Sequence, residues 1–303
     1  MSTPQATPSP LPPQQQPPPP STSSKPPPPS QDQTILQPTL RLHINDLRHP
    51  ASKAFLTLLP DITSTLTTAL STIIQHLYTP PEHPHPHHHQ TPTFTPTPPP
   101  TRSVTLLLRA IDGVAYTTGT ELDNDHKEIH LSLSYIQTIT TNNNNPNPTA
   151  ELTGVLTHEL VHCYQHTAPP ESSTTTTTPP PPPPGGLIEG IADFVRLKAG
   201  LEPPHWKRPA SAKERAGKWD EGYQHTAYFL AWLEDVKVGK GAVGMLNDRL
   251  LRVGYVGEKS GDEFWKGLFG MDVLELWEEY GRWLDDGGVK NGGCWEDEIV
   301  DRV

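Results

Sequence analysis

Proline decides how much of this chain can fold. Of its 303 residues 38 are proline, and most of them lie in low-complexity tracts that cannot enter a helix interior or a central strand. Residues 1–33 hold 13 prolines among Ser, Thr and Gln, with almost no apolar side chains. Such a segment cannot offset its ordering entropy and is predicted to stay extended and disordered. Three further tracts, at 80–101, 142–148 and 167–185, are predicted insertions. With these set aside and 33% of residues hydrophobic, the remainder at 34–303 can bury one core but not two.

Periodicity within that remainder mixes strands and helices, which predicts an α+β domain. Leu40, Leu42 and Ile44 alternate as a short half-buried strand. From Ala51 to Tyr78 the residues Phe55, Leu58, Leu59, Ile62, Leu66, Leu70, Ile73 and Leu77 form a helical stripe, broken near Pro60. Ser103 to Ile111 reads as a buried strand. Ile129, Leu131, Leu133 and Tyr135 alternate with His130, Ser132 and Ser134, predicting a strand with one wet face over Glu128 to Tyr135. Three later helices are predicted at Tyr223–Val238, Ala242–Arg252 and Val273–Leu284.

The chemistry concentrates in Thr157-His158-Glu159-Leu160-Val161-His162. No Pro or Gly interrupts Val155 to His166, so a helix is expected, and residues four apart on it share a face. His158 and His162 can therefore aim at one metal ion while Glu159 flanks the bound water as a base. A catalytic site needs a third protein ligand and an open position. Glu189 is the leading candidate, on a second helix marked by Leu187, Ile188, Ile191, Phe194, Val195 and Leu197. Asp193, one turn on, is placed to accept the other ring proton of a ligand histidine.

Other third ligands fit less well. His166 lies eight residues from His158, a rise of about 12 Å. The metzincin continuation wants Gly and His where Gln165 and Ala168 stand. Cys163 points away from His162, and Cys294 is the only other cysteine, so a thiolate site and a disulfide framework are both unsupported. The histidines of the 80–101 tract, His83, His85 and His87 to His89, read as compositional.

The run from Gly186 to Gly200, Gly-Leu-Ile-Glu-Gly-Ile-Ala-Asp-Phe-Val-Arg-Leu-Lys-Ala-Gly, resembles the signature of the basic secretory protein family, zinc peptidases of plants, bacteria and fungi. Gly113 to Tyr116, Glu128 to Tyr135 and Trp219 to Tyr223 carry further likeness, which spans roughly residues 40–283. The resemblance implies a gluzincin-like fold: a zincin-like metallopeptidase domain with a small mixed sheet, an active-site His-Glu-x-x-His helix and a helical C-terminal part. It implies one Zn2+ held by His158, His162 and Glu189, with Glu159 as base. The chain departs from the family at Gln224-His225 and Tyr228, which bears on the substrate pocket rather than the metal ligands.

The expected reaction is peptide hydrolysis by a metal-activated water, with Tyr223 or His225 stabilising the oxyanion. Either residue could equally be a packed one. A peptide substrate is expected to add to an edge strand, Glu128 to Tyr135. The alternatives are a non-catalytic interaction protein acting through its proline runs on SH3, WW or profilin-like grooves, and a hydrolase of a non-peptide amide. The formal net charge is −11, all of it beyond residue 100, which argues against nucleic acid. No signal peptide or 18-residue apolar run is visible, so no membrane partner and a cytoplasmic location are the default, although the family resemblance leaves secretion open.

Overall fold

The computed structural model describes residues 37–80, 94–142, 146–170, 180–256 and 262–288. The predicted tail at 1–33, most of the 80–101 tract and the middles of the tracts at 142–148 and 167–185 lie outside the described residues. In chain order the elements are β1 (Thr39–Ile44), α1 (Pro50–Leu58), α2 (Ile62–Leu77), β2 (Ser103–Arg109), β3 (Ala115–Thr120), β4 (Asp123–Ser132), α3 (Leu133–Thr141) and α4 (Pro148–His162). They continue with α5 (Gly185–Lys198), α6 (Tyr223–Trp232), α7 (Ala242–Arg252), α8 (Asp262–Phe269) and α9 (Val273–Asp285). The class is α+β. No helix among the described residues is long and apolar enough to cross a membrane.

The sheet order is β1-β2-β4-β3, with β1, β2 and β4 parallel and β3 antiparallel to β4. Leu106 pairs with Ile129 and Tyr116 with His130. Val104, Leu106, Leu108, Ile129 and Leu131 have no exposed surface, as expected of parallel strands covered by helices. The edge beside the later helices is β3, a strand too short and too rich in Thr and Gly to stand out in the sequence.

The structure departs from the expected strands at β4 and at β1. The predicted strand Glu128 to Tyr135 stops at Ser132, whose side chain accepts from the Tyr135 N–H at 3.3 Å and caps α3. Leu133 and Tyr135 thus belong to a helix, and the face expected to be wet is dry, His130 being 4% and Ser132 0% exposed. Nor is this segment an edge: β4 lies between β2 and β3, so its backbone groups are already spent on neighbours. In β1 the alternation holds, but Leu42 is 39% exposed rather than half-buried like Leu40 and Ile44.

Helix α4 is the hub. Asn147 accepts from the Ala150 N–H and Pro148 occupies the first turn, a start that a polar tract ending in Asn-Pro supplies. Its residues from Leu152 to Val161 are almost all buried, so it is packed on nearly every side. It ends at His162 rather than running on to His166. There the chain turns through Cys163, and the His166 N–H donates to Asn247 Oδ1 at 2.9 Å while its ring reaches the Thr97 carbonyl. His166 is carried away from His158 altogether. Helix α6 is followed by a π-helical turn over Leu233–Lys237, closed by Val238 N–H to the Leu233 carbonyl at 2.8 Å. Helix α8, eight residues long, does not stand out by periodicity, although its Phe264 and Trp265 are fully buried.

Candidate metal centre

Helices α4 and α5 cross so that three side chains from two sequence segments meet. His158 and His162, one turn apart on α4, bring their Nε2 atoms to 3.1 Å. Glu189 of α5 places Oε2 at 3.1 Å from His158 Nε2 and 3.7 Å from His162 Nε2. Among the described residues this is the one group of three or more His, Cys, Asp or Glu whose ligand atoms converge in this way. The edges of a tetrahedron with ligand bonds of 2.0–2.1 Å are about 3.3 Å long. The three separations bracket that length, so shifts of a few tenths of an ångström fit the donor set to a small divalent ion.

Both histidines are oriented from behind. Asp193 Oδ1 lies 2.7 Å from His158 Nδ1, at 2% exposure, and fixes the tautomer that leaves Nε2 free. His162 Nδ1 faces the Gln165 side-chain amide, with Nε2 at 3.1 Å and Oε1 buried without a partner. Turning that amide over lets Oε1 accept an Nδ1–H and frees His162 Nε2 for a metal. Burial disfavours charge on His158, but hydrogen bonds with Asp193 and Glu189 outweigh it and push the imidazole up to about 9. Burial works against the charged form of Glu189 too, yet His158 and His162 hold it down to about 2. The ligands therefore pair with one another through a proton, and a cation at the same point would take that proton's place.

Glu159, 6% exposed, lines the same cleft. The Thr117 hydroxyl of β3 donates to Glu159 Oε2 at 2.7 Å and also lies 2.9 Å from its backbone carbonyl. Neither Thr117 nor Gln165 was singled out as a site residue from sequence. Nothing local distinguishes a Thr in a short edge strand, and Gln165 stands in the sequence only as a mismatch to the metzincin motif.

Tyr223 and His225, the two candidates for oxyanion stabilisation, both line the cleft. The Tyr223 ring stacks on His158 with centroids 6.2 Å apart and planes 15° from parallel. The Glu189 carboxylate and partial burial raise its hydroxyl above the usual tyrosine range, so it is a proton donor at neutral pH. Its φ of +46° is in the left-handed region, which costs a Cβ-bearing residue about 1–2 kcal/mol. The turn is held regardless: Thr226 Oγ1 accepts from the Gly222 N–H at 2.9 Å and donates to the Trp219 carbonyl at 2.7 Å. It presses on the start of α5, where a Cβ on Gly186 would meet the Asp220 carbonyl at 1.9 Å.

The cleft has a volume of about 910 Å³. Val114 and the start of β3, Ala115 to Thr117, line one wall, and Tyr135, Glu151, Arg196, His205 and Trp206 also line the cleft. A family model described as "Peptidase of plants and bacteria", that of the basic secretory protein family, matches residues 37–280. The chain belongs to this family. No curated protein and no solved structure gives a match.

Proposed function

We propose that this member of a peptidase family is a zinc-dependent metallopeptidase of zincin-like fold, with His158, His162 and Glu189 as ligands and Glu159 as general base. The observation that carries the reading is the convergence of the three donor atoms at 3.1, 3.1 and 3.7 Å in the cleft that also holds Glu159. Two imidazoles and a carboxylate are one of the donor sets of catalytic zinc, and three protein ligands leave a position open. Bound there, the ion would supply Lewis acidity toward a peptide carbonyl and lower the pKa of a coordinated water.

The chain's own residues do the rest. Glu159 accepts the proton of the attacking water on its carboxylate and delivers it to the leaving amine. Thr117 restrains that carboxylate on one oxygen. Asp193 and Gln165 hold the two imidazoles in register, and Tyr223 O–H or His225 donates toward the oxyanion. An extended peptide is proposed to add to the free edge of β3, beside Glu159.

Glu159→Gln tests the assignment. It should retain one zinc per chain by elemental analysis and an unchanged melting temperature, while peptide turnover falls at least about a hundredfold, the scale of a positioned acid–base group. Single-turnover cleavage as fast as the parent's would remove Glu159 from the role.

A further inference from the structure

Past the three ligand atoms the cleft runs on to a second polar cluster for which the proposed chemistry has no use. Glu151, Val155 and His158 follow one face of α4, and Glu189, Asp193 and Arg196 one face of α5; all six line the cleft. Seven helical residues rise about 10 Å, so Glu151 and Arg196 are within reach of a substrate side chain beside the bond being cut, and not of that bond itself.

This end of the cleft is rigidly built. The Tyr135 hydroxyl donates to Glu151 Oε1 at 2.6 Å, Arg196 Nη2 lies 3.2 Å from Glu151 Oε2, and Arg196 Nε–H donates to the Leu201 carbonyl at 2.9 Å. The guanidinium rests on α4 at Gly154, where a Cβ would come within 2.5 Å of Nε, and 5.5 Å from the Trp206 ring. Arg196 is 7% exposed, yet not all of its donors are spent. Nη2 is buried without an aligned hydrogen bond, and among the described residues no acceptor is paired with Nη1.

The chemistry of that floor selects what can sit on it. An apolar side chain would cover the guanidinium donors without pairing them. A carboxylate would join Glu151, Glu159, Glu189 and Asp193, four acids against Arg196 and a divalent ion, where one more negative charge is repelled. A lysine would face Arg196. A carboxamide adds no charge and satisfies both partners, its carbonyl accepting from Arg196 and its NH2 donating to Glu151 Oε2.

We propose that this end of the cleft is a subsite for a glutamine or asparagine side chain adjoining the scissile bond, with Arg196 and Glu151 as the specificity-determining residues. The inference rests on the peptidase reading above. Its test is digestion, with and without chelator, of a peptide series that places Gln, Asn, Glu, Met, Leu or Lys in turn on either side of one scissile bond.

At one of the two positions, Gln or Asn should exceed Glu and Met by at least about tenfold in kcat/KM, the scale of a hydrogen bond to a charged group. The better of Gln and Asn sets the depth of the subsite. Glu151→Gln keeps the shape but leaves Arg196 unneutralised, so the ratio of Glu-peptide to Gln-peptide cleavage should rise about tenfold. Should a lone buried Arg196 unfold that variant, the double variant Glu151→Gln with Arg196→Met removes both charges and should erase the preference for Gln over Met. Zinc content and melting temperature accompany each measurement. A parental preference for Glu or Met, or ratios unchanged in the variants, overturns the subsite. Absence of chelator-sensitive cleavage in every peptide overturns the peptidase reading, and the subsite with it.

Discussion

Thr117 holds one oxygen of Glu159 at 2.7 Å and touches the same residue's carbonyl at 2.9 Å. A single hydroxyl from the edge strand thus restrains a side chain on the metal helix, and the carboxylate it restrains loses rotamer freedom that a free Glu would keep. Thr117→Val preserves the shape and removes the hydroxyl. Peptide turnover should fall about tenfold or more, with kcat affected rather than KM and zinc content unchanged, and Thr117→Ser should restore most of the loss. Full turnover in the valine variant would make the contact merely structural. The ligands themselves were readable because His158 and His162 are four apart, and Glu189 and Asp193 also four apart, on helices with clear apolar stripes. Thr117 and Gln165 were not, since one arrives from a strand more than forty residues away and the other from a turn whose position depends on where α4 stops.

At the scale of elements, the crossing of α5 and α6 sets how far Glu189 reaches into the cleft. The two helices touch at Gly190, where a Cβ would lie 2.3 Å from Thr226 Cγ2, and Thr226 is the residue that ties down the Gly222 turn. Gly190→Ala should therefore destabilise the fold by about 1–3 kcal/mol, the usual cost of overpacking, and weaken zinc retention by shifting Glu189. Gly217→Ala, where nothing lies within 4 Å of the added Cβ, is the matched control and should be near neutral. Denaturant melts of the two variants check the difference; equal stability would mean that Thr226 yields without cost. The same close approach gives the Gly-Leu-Ile-Glu-Gly-Ile-Ala-Asp run a physical reading, because Gly186 and Gly190 bracket the ligand and each meets a neighbour at contact distance.

Taken as a whole, the molecule brings charged groups into its interior and balances them there. In the metal-free protein His158 moves from 6.5 unfolded to about 9 folded. Its contribution to stability is full below 6.5 and is lost as pH rises through about 9, because the unfolded chain releases that proton first. Glu189 moves the other way, from 4.5 to about 2, so its contribution is present above 4.5 and lost as pH falls toward 2. These two groups favour the chelated protein most between 4.5 and 6.5. With zinc bound, the His158 ring carries no proton on its ligand nitrogen, and the alkaline decline should disappear. Melting temperatures from pH 5 to 9, with zinc and with chelator, check this; a parallel decline in both series would place the alkaline loss elsewhere.

Local sequence determined the α+β mixture, the break between α1 and α2 at Pro60, the start of α4 at Asn-Pro and the two ligand pairs, all of which depend on contacts no more than about four residues apart. Tertiary structure decided the rest. Whether Leu133 and Tyr135 continue a strand or begin a helix turned on where β4 runs out of sheet partners, its last pairs being Leu131 with Ala115 and Ser132 with Arg109. Which strand is the edge turned on the order β1-β2-β4-β3, which alternation within one strand cannot encode because it reports the faces of a sheet and not its neighbours. The Glu151–Arg196 floor, the Thr117 restraint on Glu159 and the contact of Gly190 with Thr226 exist only where separate elements meet. Their partners lie far apart along the chain, and only packing brings them within hydrogen-bonding distance.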